Sequence, residues 1–374
     1  MPEGGAAVLS DRELNRATLA RPGLLARRAA PLLEAITGLI GLQAQEPPDP
    51  YLALWSRLEP FDPHELGALL EARAVVRIVL MRGTIHLVTA EDALALRPLV
   101  QPVLDRELAR HPDARQLGGP LSDAALAEPL ALARALLDER PRTMTELRAA
   151  FAAAFPDQHA PGLAYACRNL LPLVQVPPRG VWGKRGTVRL ARLETWVDRT
   201  ADQRSEGATT LDDVALRYLA AFGPATVADL AAWCRLAGMR DVVERLRPRL
   251  RMLRDVRGRE LFDVPDGLLP GGDVPAPVRF LPEYDNALLS YADRSRFVLG
   301  DERSSLGAPE TRIKGTVLHD GFVRATWGWG ADDLVVAPVP GLSGAARDEV
   351  AAEGLRVLAF LGRPGRVRFA SPGG

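Results

Sequence analysis

Lysine is almost missing from this chain of 374 residues: Lys184 and Lys314 stand against 47 basic residues in all, so arginine carries the positive charge. Guanidinium forks suit bidentate contacts to phosphate and guanine edges, although a genomic compositional bias explains the same excess. Cysteine is equally scarce. Cys167 and Cys234 lie far apart, each in an apolar helical pattern, which excludes a disulfide framework and a paired-cysteine zinc site. The five histidines are dispersed and none stands at ligand spacing to a cysteine or acid, so neither a metal nor a cofactor is expected. No apolar run approaches the roughly 18 residues of a membrane span, and the first residues lack a basic segment followed by an apolar one. Membrane insertion and secretion are therefore not expected. The phosphate-binding loop G-x-x-x-x-G-K-[ST], H-E-x-x-H, G-x-S-x-G and a strand-linked G-x-G-x-x-G are all absent, which removes the usual anchors of nucleotide hydrolysis, zinc proteolysis, ester hydrolysis and dinucleotide binding. Net charge is zero, so a nucleic-acid surface has to come from local segregation of charge.

What is present is an ordinary globular composition, 47% hydrophobic and 25% charged, in a chain long enough for two or more units. Two distant segments read alike. PRTMTELRAAF from Pro141 and PATVADLAAWC from Pro224 each place a threonine three residues before an acid, the signature of a capping box at Thr143/Glu146 and Thr226/Asp229. Each follows a helical segment (126–137; 211–222), precedes another (162–171; 239–246) and leads into two short strand-like runs. Three helices and a hairpin make a winged helix-turn-helix. A third copy is expected near the start, where Asp62-Pro63 opens a helix leading into VVRIVLMRGTIHLVT, a hairpin turning near Gly83. Proline and glycine clusters set boundaries, giving units 1–115, 116–205 and 206–275 with a β-rich unit over 276–374 that contains an Asp320-Gly321 hairpin turn. The fold class expected is mainly α with small β hairpins, α+β, as tandem winged units in a C-shape plus that β-rich unit.

Three groups of residues are candidates for chemistry. In GLQAQEPPDPYLALW, Gly41 stops a helix and residues 42–46 form an extended connector in which Gln43 and Gln45 point one way and Leu42 and Ala44 the other. Two amides without basicity can hold one water by several hydrogen bonds, and Glu46 is the adjacent carboxylate; helix capping or loop hydrogen bonding explains such a pair equally. On the expected second strand of the first hairpin, Arg82, Thr84 and His86 share a polar face for ligand or for solvent. Between Arg235 and Glu260, nine arginines face four acids, and the periodicity of MRDVVERLRPRL turns Arg240, Arg245 and Arg247 outward, toward DNA or simply toward water.

The segments LNRATLARPGLL, GLQAQEPPDPYLALWSRL, VVRIVLMRGTIHLVTAEDA and FLPEYDNALLSYADRSR together resemble the AlkZ-type winged-helix DNA glycosylases over most of the chain. That resemblance implies that Gln43-Ala44-Gln45 is the family's Gln-Φ-Gln catalytic motif, with Glu46 assisting. It implies a metal-free, monofunctional glycosylase that hydrolyses the bond to bulky or crosslinking N7-alkylguanines in double-stranded DNA, serving genotoxin self-resistance. The likeness extends to a DNA-proximal hairpin, TVLHDGFVRATW, with His319 at its tip and Arg312 and Lys314 leading into it. A monomer in the cytoplasm, associated with the nucleoid, is expected. A non-catalytic winged-helix DNA-binding protein or transcriptional regulator is the alternative, since fold alone does not exclude it.

Overall fold

The computed structural model describes residues 7–118, 121, 123–198, 209–299, 315–330 and 332–370. Helices begin where local chemistry dictates. At Thr143 the backbone N–H donates to Glu146 at 2.7 Å and the Glu146 N–H donates to the threonine hydroxyl at 3.1 Å, and Thr226 with Asp229 repeats the arrangement. These reciprocal bonds satisfy amides that the first helical turn leaves without partners.

The predicted order of three helices and a hairpin is present twice. Asp123–Glu139, Met144–Ala154 and Ala160–Leu170 precede strands Leu173–Gln175 and Leu190–Arg192. Leu211–Phe222, Val227–Cys234 and Met239–Leu246 precede Arg251–Asp255 and Glu260–Asp263, and Val8–Leu9 adds to the latter hairpin as a parallel strand. Pro63–Glu71 leads into the first hairpin, Val75–Val79 with Ile85–Thr89.

The hairpins do not stand apart. Val75–Val79 pairs with Leu173–Gln175 through Arg77 opposite Gln175 and Ile78 opposite Val174, so strands from both sides of residue 115 form one five-stranded antiparallel sheet. A second five-stranded sheet in the C-terminal part runs Val367–Phe369, Leu334–Pro338, Phe322–Trp329, Gly315–His319, Arg279–Leu281, with the helix Gly344–Phe360 packed on it. Asp320 and Gly321 take φ of 48° and 81° at its tight turn, as their sequence predicts.

One buried charge pair ties the C-terminal part to the first unit. Arg57, just after the helix Asp49–Trp55, donates to both carboxylate oxygens of Asp285 at 2.8 and 2.6 Å, and the side chains are 2% and 0% exposed. Asp285 also accepts from the Ala287 N–H at the start of the short helix Asn286–Leu289. Removing the arginine strands a carboxylate without water or counter-charge. Arg57→Met is expected to lower folding stability by about 3–5 kcal/mol, measured by urea denaturation; a loss below about 1 kcal/mol would show that Asp285 finds another donor or water.

Candidate functional site

The helix Leu32–Gly38 ends through Ile40 and Gly41 at φ of 53° and 81°. A Cβ on residue 41 would lie 2.3 Å from Val88 Cγ1 and 2.9 Å from the Leu87 carbonyl, so only glycine permits this approach. The expected connector is in part a strand. Leu42–Gln43 pairs antiparallel at the edge of the first sheet, Leu42 opposite Leu87 and Gln43 opposite His86, and the Ala44 N–H continues to the Ile85 carbonyl at 2.7 Å. Its partner lies far along the chain, which is why local pattern did not reveal the pairing. Leu42 and Ala44 are buried, as the alternation requires.

Gln43 is 6% exposed, and its Oε1 accepts from Arg82 Nη2 at 2.9 Å. The other end of the guanidinium, Nη1, donates to the Trp233 carbonyl at 2.9 Å. Arg82 reaches both because the turn Met81–Gly83 takes positive φ at Arg82 and Gly83, 60° and 71°. The predicted shared strand face is corrected here. Arg82 lies in the turn and not on the strand, Thr84 donates its hydroxyl to the Met81 carbonyl, and His86 is only 1% exposed. With its Nδ1 2.9 Å from the Thr84 carbonyl, the imidazole is held with Nε2 unprotonated, 3.4 Å from Arg82. Burial first and the Arg82 charge second push the His86 pKa down to about 3. A buried, neutral ring beneath Gln43 is not a DNA-facing group.

Gln45 is exposed, and its Oε1 accepts weakly from the Ile85 N–H at 3.5 Å. The two amides therefore engage the first hairpin at different points, Gln43 at the turn through Arg82 in the interior and Gln45 at the start of the strand Ile85–Thr89 at the surface. Between them, the Ala44 carbonyl accepts from Arg77 Nη2 at 2.7 Å. Arg77 is fully buried against Gly180, and burial lowers its pKa to about 10. Glu46 lines a groove of about 950 Å³ whose walls include Arg179, Arg185, Trp182, Trp329 and Arg363. Trp329 is 40% exposed, with the Arg363 guanidinium 4.0 Å above its ring. The segment GVWGKRG, residues 180–186, forms part of this wall between Leu173–Gln175 and Leu190–Arg192. Sequence reading passed over Arg77, Arg179, Trp329, Arg363 and Asn286; the family-like PEYDN text was the one available signal, for Asn286.

The family model described as DNA glycosylase AlkZ-like matches residues 36–360. The chain belongs to the AlkZ-like DNA glycosylase family. It is thus a DNA glycosylase, a hydrolase of N-glycosyl bonds with DNA as partner. Among solved structures it is similar to the DNA glycosylase AlkZ of Streptomyces sahachiroi, at 19% identity and a TM-score of 0.76, over 97% of this chain and 100% of that one. That likeness bears on the fold. Comparison with curated proteins gives no match.

In this AlkZ-like glycosylase about half of the predicted arginine surface is paired with acids. Arg245 pairs with Asp212, Arg247 with Glu244 and Glu260, Arg257 with Asp11, and Arg259 with Asp255 and Asp293. Arg240 is exposed and forms no salt bridge among the described residues. His319 is not on a free tip: Arg12 and Arg16 grip Asp320, Asn15 donates to the Gly321 carbonyl at 2.8 Å, and His319 Nε2 lies 3.2 Å from Glu349. Arg312 and Lys314 lie outside the described residues, as does the expected boundary between residues 205 and 206. Among the described residues no cluster of three or more His, Cys, Asp or Glu could hold a metal, and no helix is long and apolar enough to cross a membrane.

The depressed pKa of His86 carries a definite sign. The unfolded chain takes up a proton near pH 6.5 and the folded protein near pH 3, so this contribution is fully present above pH 6.5 and is lost as pH falls toward 3. At pH 5 the loss is about 2 kcal/mol. Replacing the ring by a non-titrating group in His86→Gln removes that component, and the wild-type and variant stability curves converge between pH 7 and pH 5. Parallel curves would mean that the ring protonates in place.

Proposed function

We propose that the enzyme releases bulky or crosslinking N7-alkylguanines from double-stranded DNA, with Gln43 and Gln45 positioning the attacking water and Glu46 assisting. The observation that carries this reading is an amide held by a cation, with a buried, neutral imidazole as its neighbour. Arg82 holds Gln43 Oε1, so the carboxamide cannot rotate, and its Nε2 donors form no hydrogen bond among the described residues. The nearest imidazole, His86, is neutral throughout the physiological range. Such a site orients a nucleophile but does little to deprotonate it.

That suffices for a cationic leaving group. Alkylation at N7 gives the purine a positive charge; when the C1′–N9 bond breaks, its electron pair neutralises the base and leaves oxocarbenium character at the sugar. Water then bonds to C1′ and loses its proton to Glu46 or to solvent. Placement of that water, and a carboxylate near the developing positive charge, are the contributions required of the protein. A groove of about 950 Å³ lined by arginines and tryptophans beside Glu46 suits a phosphate backbone and an adduct larger than a base. Bases joined across two strands cannot be swung freely into a pocket, so an open groove fits such a lesion better than base flipping does. The protein acts as a monomer, at the nucleoid.

The test is single-turnover release of base from duplex DNA carrying an N7-alkylguanine, as a monoadduct and as an interstrand crosslink. Gln43→Ala and Gln45→Ala should each slow release on the order of 10²-fold, and Glu46→Gln less. Wild-type rates in both glutamine variants would move the chemistry away from this strand. Failure to release either lesion would remove the substrate assignment.

A further inference from the structure

The strand that carries Gln43 is two residues long and lies at the edge of its sheet. An edge strand leaves every second N–H and C=O without a neighbour. Here the inward groups bond to Ile85–Thr89, while the Gln43 N–H and the Gly41 carbonyl face the other way. Both are met by one side chain from the C-terminal part. Asn286 Oδ1 accepts from the Gln43 N–H at 3.4 Å, and its Nδ2 donates to the Gly41 carbonyl at 2.7 Å and to the Leu39 carbonyl at 3.3 Å. A carboxamide that accepts from one residue and donates to the carbonyl two residues earlier takes the place of a peptide group on a further strand.

Asn286 is itself fixed. It is 4% exposed and begins the short helix Asn286–Leu289, which Asp285 caps, and Asp285 is locked by Arg57. Only an amide satisfies this position, because a carboxylate lacks the donors and an apolar side chain leaves three backbone groups buried without partners.

We propose that Asn286 is a positioning residue for the glycosylase reaction, standing in for a missing strand and fixing the backbone from which Gln43 is presented. This rests on the assignment of Gln43 to the chemical step. Arg82 sets the far end of the Gln43 side chain and Asn286 sets its root, so the amide's position is determined from both ends. Loss of the root lets the strand shift relative to the groove without altering any group that touches DNA.

The experiment is a double-mutant cycle on single-turnover base release with full-length protein, accompanied by duplex affinity. Asn286→Ala should slow release about 10- to 100-fold while the dissociation constant for duplex DNA stays within about twofold. Adding Asn286→Ala to Gln43→Ala should slow it less than about threefold further, since Asn286 acts through Gln43. A purely structural role gives multiplying losses; Leu147→Ala, a truncation in a separate core cluster, supplies that reference. Should Asn286→Ala not fold, Asn286→Ser, a neutral residue whose hydroxyl can donate to one of the carbonyls, serves in its place, with a smaller loss and the same lack of additivity. Wild-type release by the Asn286 variant, or losses that multiply with Gln43→Ala, would overturn the positioning role. Wild-type release by Gln43→Ala alone would instead overturn the catalytic assignment on which it rests.

Discussion

A two-residue strand cannot hold its own geometry, and the site is organised around that constraint. Two ladder residues contribute too few hydrogen bonds to fix a backbone against its conformational entropy. The segment at Gln43 is therefore held from outside. Ile85–Thr89 supplies the ladder, Arg77 takes the Ala44 carbonyl, Arg82 takes the Gln43 side chain, and the C-terminal part supplies Asn286. The Arg57–Asp285 pair acquires its significance here, because it keeps Asn286 where the edge needs it. Packing of the C-terminal part against the first unit is thus a condition for a formed site.

The same economy governs charge. With equal numbers of acids and bases, many arginines are structural: Arg21 and Arg251 share Asp263, and Arg296 packs 3.9 Å over Tyr291 while donating to the Pro224 carbonyl. Buried guanidinium groups suit this use because they bond several carbonyls or both oxygens of a carboxylate in one plane. Guanidinium groups without a salt bridge among the described residues remain both between Arg235 and Glu260, as at Arg240, and around the groove, at Arg179, Arg185 and Arg363. A count of arginines along the third unit overstates its exposed positive charge for this reason.

Local rules were legible and long-range ones were not. Capping boxes depend on residues three apart, and Thr143/Glu146 and Thr226/Asp229 form as read. Helices 211–222 and 239–246 stand at the bounds their periodicity predicts. Gly41 stops its helix because no other residue fits beside Val88. The pairing of Gln43 with His86, the merging of two hairpins into one sheet and the reach of Asn286 all join residues whose partners lie far along the chain. Periodicity could place His86 on a polar face of a strand, but whether that face met water or Arg82 and Gln43 depended on a turn at Arg82 whose positive φ a non-glycine residue does not advertise.

The choice of glutamine over a carboxylate at position 43 follows from this environment. Arg82 lies 2.9 Å from the side-chain oxygen in a half-buried setting. A carboxylate there would form a charge-assisted pair, spend both its oxygens on the cation and offer no donor. The carboxamide accepts from the same guanidinium through one oxygen and keeps two N–H donors beyond it. Arg82 also polarises the amide, which strengthens it as a donor and weakens it as a base. Under the proposed function, a substrate whose leaving group is already cationic needs a fixed point of hydrogen bonding more than it needs a proton acceptor, which is the part proposed for an arginine-held glutamine on a clamped edge strand.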